Sequence, residues 1–235
     1  MKKSFVLLTC EHGGNKIPKR YQENFKKHKK LLSTHRGLDI GALGVAKLLS
    51  KCLGAPLVAS EISRLLVDLN RTIGNEGQFS KISSKIKERD FILEKYYYPH
   101  HVRVQNQINK ALIESNQIIH LGIHSFTPKL NGEVRQTDIG ILFDPKIPLE
   151  IEFSRLLKDQ LRISAPELRV RMNYPYKGTS DGLTRSLRKA FGKTIYAGIE
   201  IEINQKFFTS EQKQNQKWMA HLFSESIQNA KDLLK

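Results

Sequence analysis

Three residues able to do chemistry each stand in or at the end of a short apolar run. His12 closes Phe5-Val6-Leu7-Leu8-Thr9-Cys10-Glu11-His12 and is followed by Gly13-Gly14, and His124 closes Ile118-Ile119-His120-Leu121-Gly122-Ile123-His124. Glu202 lies within Ile199-Glu200-Ile201-Glu202-Ile203-Asn204. Runs of this kind, bounded by Gly, Pro or polar clusters, read as buried strands. Open α/β sheets carry their sites at the carboxyl ends of such strands. Two imidazoles and a carboxylate delivered there point to a metal-assisted hydrolase.

A catalytic zinc takes three protein ligands from His and carboxylates and keeps one position for water. His12 and His124 are the natural nitrogen ligands. Glu11 and Asp39 compete for the third place. Adjacent strand residues face opposite sides, so Glu11 would need a twist or bulge to join His12 at one metal. Asp39 is preferred, although an Asp opening a helix is equally well explained as an N-cap. Glu202 suits a general base that takes a proton from water and passes it to a leaving nitrogen. Glu200 shares its strand face under period two and competes for that role.

A second constellation is Ser63-Arg64-Leu65-Leu66-Val67-Asp68-Leu69-Asn70-Arg71. The planar fork of Arg71 matches a substrate carboxylate, with Asn70 assisting. Arg64 could instead meet an oxyanion that develops during attack on an amide. On these residues alone the favoured reading is plainer, a surface strand with Asp68 and Arg71 paired. His35 and Arg135 are further polar contacts.

These residues need a framework, and the periodicities supply one. Strands are expected at about 4–10, 56–59, 65–69, 118–124, 138–145 and 194–203. Helices are expected over 39–53, ending at Gly54, and over 88–115 with a start or kink at Pro99. Others follow over 147–162 and 181–191, and at the C-terminus, where Thr209 and Gln212 form a capping box. Strands alternating with helices predict a three-layer α/β fold, its mixed sheet largely parallel with helices on both faces. No repeat or linker breaks the chain, so residues 1–235 are expected to form one domain.

The 235 residues are 39% hydrophobic and 8% aromatic, a globular composition. No apolar run approaches the roughly 20 residues that span a bilayer, so no membrane partner is expected. Met1–Cys10 is too short in its apolar part for a signal peptide, and Glu11-His12-Gly13 stands where a cleavage site would be. Two cysteines, Cys10 and Cys52, make neither a disulfide framework nor a CxxC pair, which predicts a reducing cytoplasm. A formal charge of +16 admits nucleic acid as a partner, with the densest cluster at Lys16–Lys30. No zinc-finger spacing or RNP-type aromatic motif accompanies it, and a basic surface equally attracts small anions.

Taken together, several segments resemble the N-formylglutamate amidohydrolase family. They are Cys-Glu-His-Gly-Gly-Asn-Lys-Ile-Pro (10–18), His-Arg-Gly-Leu-Asp-Ile-Gly-Ala (35–42) and Ser-Arg-Leu-Leu-Val-Asp-Leu-Asn-Arg (63–71). The others are Tyr-Tyr-Tyr-Pro-His-His (96–101), His-Ser-Phe-Thr-Pro (124–128), Gly-Glu-Val-Arg (132–135) and Ile-Glu-Ile-Asn (201–204). The resemblance implies a fold similar to zinc carboxypeptidases and aspartoacylases, with one zinc per chain on His12 and His124. It implies Glu202, not Glu200, as base, Asp68 to Arg71 as a substrate-carboxylate motif and Arg64 as the oxyanion partner. Such relatives take their second zinc ligand from a Glu three residues after the first His. Here that position is Asn15, and Asp39 enters as its substitute. The implied activity is metal-dependent cleavage of the amide bond of a small, anionic N-acyl amino acid such as N-formylglutamate. Two alternatives are a metallopeptidase or amidase on a larger peptide, and a non-enzymatic binder of nucleic acid.

Overall fold

Six strands form one sheet in the computed structural model, which describes residues 4–208 and 214–234. The chain runs β1 (Ser4–Cys10), α1 (Ala42–Leu53), β2 (Leu57–Ala59), α2 (Tyr98–Ala111), β3 (Gln117–Phe126) and β4 (Ile139–Leu142). It continues through α3 (Pro148–Ser164), β5 (Val170–Met172), α4 (Leu183–Phe191), β6 (Tyr196–Asn204) and α5 (Gln214–Leu233). Across the sheet the order is β2-β1-β3-β6-β4-β5. Within this sheet, as described, only the β4–β6 pair is antiparallel. The expected mixed, largely parallel sheet is thus the one found.

The central strands carry apolar runs because both of their faces are covered. Every residue of β3 is buried. On one face α5 packs between α1 and α3, over Leu8, Cys10, Ile119, Leu121, Ile123, Ile199 and Ile201. On the other, α2 and α4 cover Leu7, Ile118 and Tyr196. In α1 the buried residues Ala42, Val45, Ala46 and Leu49 recur at helical spacing. Gly54 ends that helix with φ 62°, a conformation that favours glycine. A buried ion pair, Arg188 Nε to Glu150 Oε1 at 2.7 Å, joins α4 to α3, and Glu150 also accepts the Gly198 N–H of β6.

Leu65–Leu69 is not a strand. These residues lie in turns, with the Leu66 N–H donating to Ser63 O and the Asp68 N–H to Gln78 O. Their apolar side chains fill a separate cluster with Tyr21, Phe25, Ile92 and Tyr97, which explains the apolar run without a sheet partner. The expected helix over 88–115 is a helical turn (Arg89–Ile92), a π turn (Leu93–Tyr97) and α2. Pro99 stands in the first turn of α2, where a missing N–H is tolerated. Thr209 and Gln212, the expected capping box, lie outside the described residues. No helix among those described is long and apolar enough to cross a membrane.

Candidate metal centre and its cavity

His12 is the second residue past β1, and its carbonyl accepts the Asp39 N–H at 2.9 Å. That bond docks the turn before α1 against the end of β1. Gly37 permits the turn, since a Cβ there would lie 2.2 Å from Leu32 O. Asp39 does not cap the helix: Gly41 occupies the N-cap with no side-chain cap. The carboxylate turns instead to the imidazoles, with Oδ2 2.9 Å from His124 Nδ1 and 3.4 Å from His12 Nδ1.

Among the described residues, His12, Asp39 and His124 form the one group of potential ligands whose atoms all lie within 4.8 Å of one another. All three are buried. Ligand atoms of a tetrahedral zinc, each about 2.0–2.1 Å from it, are about 3.3 Å apart. The contacts of Asp39 match that spacing, and His12 Nδ1 is buried with no hydrogen-bond partner. The far nitrogens face carboxylates: His12 Nε2 is 2.7 Å from Asp68 Oδ1, and His124 Nε2 is 3.1 Å from Glu11 Oε2. A carboxylate behind each imidazole is how metal-ligating histidines are commonly oriented. The residues present fit a zinc ion. Glu11 lies behind this triangle, buried between His124 and His100, as strand alternation requires. Asn15 does not line the cavity.

The electrostatics suit a cation. Burial pushes both imidazoles toward neutrality, and Arg64 adds to this at His12. Asp68 and Asp39 reverse it at His12, and Asp39 and Glu11 reverse it at His124, so both rings hold protons above the usual range. Burial also opposes the charge on Asp39, but His12 and His124 hold it ionised. A divalent ion would take the place of those protons.

Glu202 is in register with His124 across β6 and β3, and Glu200 with Gly122. Glu202 is buried, and its Oε2 has no hydrogen-bond partner. Burial, reinforced by Asp39 and Glu200, pushes its pKa up to about 8 against the opposing pull of His124 and Arg64. Glu200 is occupied differently, with Oε1 accepting from Asn70 Nδ2 at 3.3 Å and Thr184 Oγ1 at 3.4 Å. Neither carboxylate sits on a solvated edge, because β6 is a central strand.

Both line a cavity of about 380 Å³ at the carboxyl ends of β3 and β6, with His12, Asp39 and His124 also in its wall. Arg64 spans two carboxylates, with Nη2 2.8 Å from Asp68 Oδ2 and Nη1 3.4 Å from Asp39 Oδ1. Arg71 lines the cavity with Nη1 anchored on Asp181 O at 2.7 Å. Asn70 also lines it, but its Oδ1 accepts the Leu183 N–H at the start of α4. His35, Arg36 and Lys177 complete a basic rim. Arg135 stands back from the cavity. Its guanidinium lies over the Phe126 and Tyr176 rings and bonds Tyr176 Oη, and those two residues form the wall.

The sequence reading missed Tyr176, Lys177, Ser180 and Asp181, which close the cavity from the β5–α4 connection. A Gly-Thr-Ser-Asp-Gly stretch before a helix was the available signal, since such loops often carry function. The tie from Asp68 to His12 was missed as well, because no sequence spacing relates them.

Comparison with known proteins places the chain in a family. The model of a family described as N-formylglutamate amidohydrolase matches residues 4–209. No curated protein matches the chain. A solved gene product of Agrobacterium tumefaciens is similar with a TM-score of 0.83 and 30% identity, over 99% of this chain and 92% of its own. N-formylglutamate amidohydrolase from Ralstonia eutropha JMP134 is similar with a TM-score of 0.64 and 17% identity, over 97% and 94%. At 14% identity and a TM-score of 0.50, N-acetylmuramoyl-L-alanine amidase from Clostridium difficile 630 shares the fold over 98% of both chains. With the family match spanning nearly all of the sheet, its flanking helices and every wall of the cavity, the chain belongs to the N-formylglutamate amidohydrolase family.

Proposed function

We propose that the chain is a cytoplasmic, zinc-dependent amidohydrolase that cleaves the amide bond of a small, anionic N-acyl amino acid, with N-formylglutamate the first candidate. The buried triangle of His12, Asp39 and His124, set in a cavity beside a free Glu202 carboxylate, is the observation that carries this reading. These three residues would hold the ion, with Asp68 and Glu11 orienting the imidazoles. Zinc, when bound, supplies a Lewis acid for the carbonyl and acidifies the attacking water.

The remaining work falls to the protein. Glu202 takes the proton of the attacking water and returns it to the leaving nitrogen, a cycle served by a pKa near neutrality. Arg64, anchored by Asp39 and Asp68, donates to the oxygen on which negative charge develops. Arg71 receives the substrate carboxylate in its planar fork, and Asn70, tied to Leu183 and Glu200, fixes that wall. Arg36 and Lys177 favour a second anionic group at the rim. A cavity of about 380 Å³ sits low in the range for small-molecule sites, which favours an amino-acid derivative over a peptide.

The test is hydrolysis by purified, zinc-loaded protein of N-formyl-L-glutamate, N-acetyl-L-glutamate and a muramoyl peptide. Release of formate or acetate from the small substrates alone is expected. Cleavage of the peptide alone would replace this reading with the larger-substrate one.

A further inference from the structure

The Tyr96–His101 segment carries out none of these steps, yet two of its side chains reach the Leu69–Arg71 backbone. Tyr97 closes the π turn, and His101 follows four residues later on the same helix face. Their rings stack at 4.0 Å with an interplanar angle of 21°. The buried Tyr97 hydroxyl donates to Arg71 O at 2.7 Å, and His101 Nε2 lies 2.9 Å from Leu69 O. A carbonyl only accepts, so Nε2 carries the hydrogen, and burial, which pushes the His101 pKa down to about 4, keeps the ring neutral.

The segment held this way is not in a strand, so no sheet ladder fixes its carbonyls. It nevertheless carries Asn70 against Glu200 and Arg71 in the cavity wall. The two clamped carbonyls flank Asn70. π turns recur at functional sites.

We propose that Tyr97 and His101 are positioning residues, a stacked pair that clamps the Leu69–Arg71 main chain and so aims Arg71 at the substrate carboxylate. This rests on the reading of Arg71 as the carboxylate-binding group. Neither residue touches the reacting atoms, so the clamp acts on substrate binding and leaves the chemical step alone.

Tyr97→Phe removes one hydroxyl and keeps the stack. KM for N-formyl-L-glutamate is expected to rise roughly three- to tenfold, the worth of one hydrogen bond, with kcat held within about twofold. Tyr98→Phe, which loses only the hydroxyl of an exposed ring, is expected to change neither constant. A second readout needs no turnover: backbone amide exchange at residues 69–72 is expected to quicken in Tyr97→Phe and in His101→Phe. A fall in kcat at constant KM, or wild-type exchange at 69–72 in both variants, overturns the clamp. If wild-type protein hydrolyses no N-acyl amino acid, the proposed function fails, and the exchange measurement alone decides the clamp.

Discussion

Glu202 and His124 are partners in register on adjacent parallel strands, so carboxylate and imidazole project from one face of the sheet at neighbouring positions. One rung back, Gly122 faces Glu200, and a Cβ on Gly122 would lie 3.3 Å from His124 Nε2 and 3.4 Å from Glu200 Cγ. The glycine leaves room for both side chains. The two glutamates differ in their bonding: Glu200 accepts from Asn70 and Thr184, while Glu202 keeps an oxygen without a partner.

Glu202→Gln is therefore expected to retain metal and lose about 10²- to 10⁴-fold in kcat, the usual contribution of a general base. Steady-state kinetics on zinc-loaded variants check this. Glu200→Gln is expected to raise KM more than it lowers kcat, and a larger kcat loss there than in Glu202→Gln would exchange the two roles.

The buried position of Glu202 has a consequence for stability. Its pKa is pushed from an ordinary 4.5 up to about 8, so the folded state favours the protonated form. The stability it contributes is full below the unfolded value and disappears as pH rises through 8. In chelator, Glu202→Gln should gain in Tm relative to wild type between pH 5 and 9, since Gln stays neutral throughout. A constant Tm difference across that range, read by calorimetry, would contradict the shift.

The metal centre should depend on the outer carboxylates as well as on the ligands. His12→Ala, His124→Ala and Asp39→Asn should each abolish stable zinc binding. Asp68→Asn and Glu11→Gln should weaken it about 10- to 100-fold, in line with other carboxylate–histidine–metal arrangements. Competition with a fluorescent chelator gives the affinities. Wild-type affinity in Asp39→Asn would remove it from the ligand set.

Away from the site, Arg188→Met should destabilise the protein by about 3–5 kcal/mol, because it strands Glu150 as an unpaired buried charge. Denaturant unfolding checks this. The double variant Glu150→Leu/Arg188→Met should recover only part of the loss: no buried charge then lacks a partner, but the Gly198 and Asp144 N–H groups lose their acceptor.

The sheet was legible in the sequence because its strands are covered on both faces and so run continuously apolar. His12, His124 and Glu202 were legible because they stand in or at the end of those runs. Asp39 could be nominated but not chosen over a helix cap, since the decision depends on the bond from its N–H to His12 O. Leu65–Leu69 misled for a physical reason: it buries its apolar side chains in a side cluster, where burial without a sheet partner mimics a strand. The basic rim at Lys177 and the tie from Asp68 to His12 arise from segments far apart in the chain. No local period encodes such contacts.

The most direct test is a zinc titration of chelator-stripped protein, with N-formyl-L-glutamate turnover measured at each addition. Turnover should rise in proportion to zinc and level off at about one equivalent per chain, and His124→Ala should stay inactive throughout. Turnover in the stripped protein equal to that at saturation, or full activity in His124→Ala, would contradict the account.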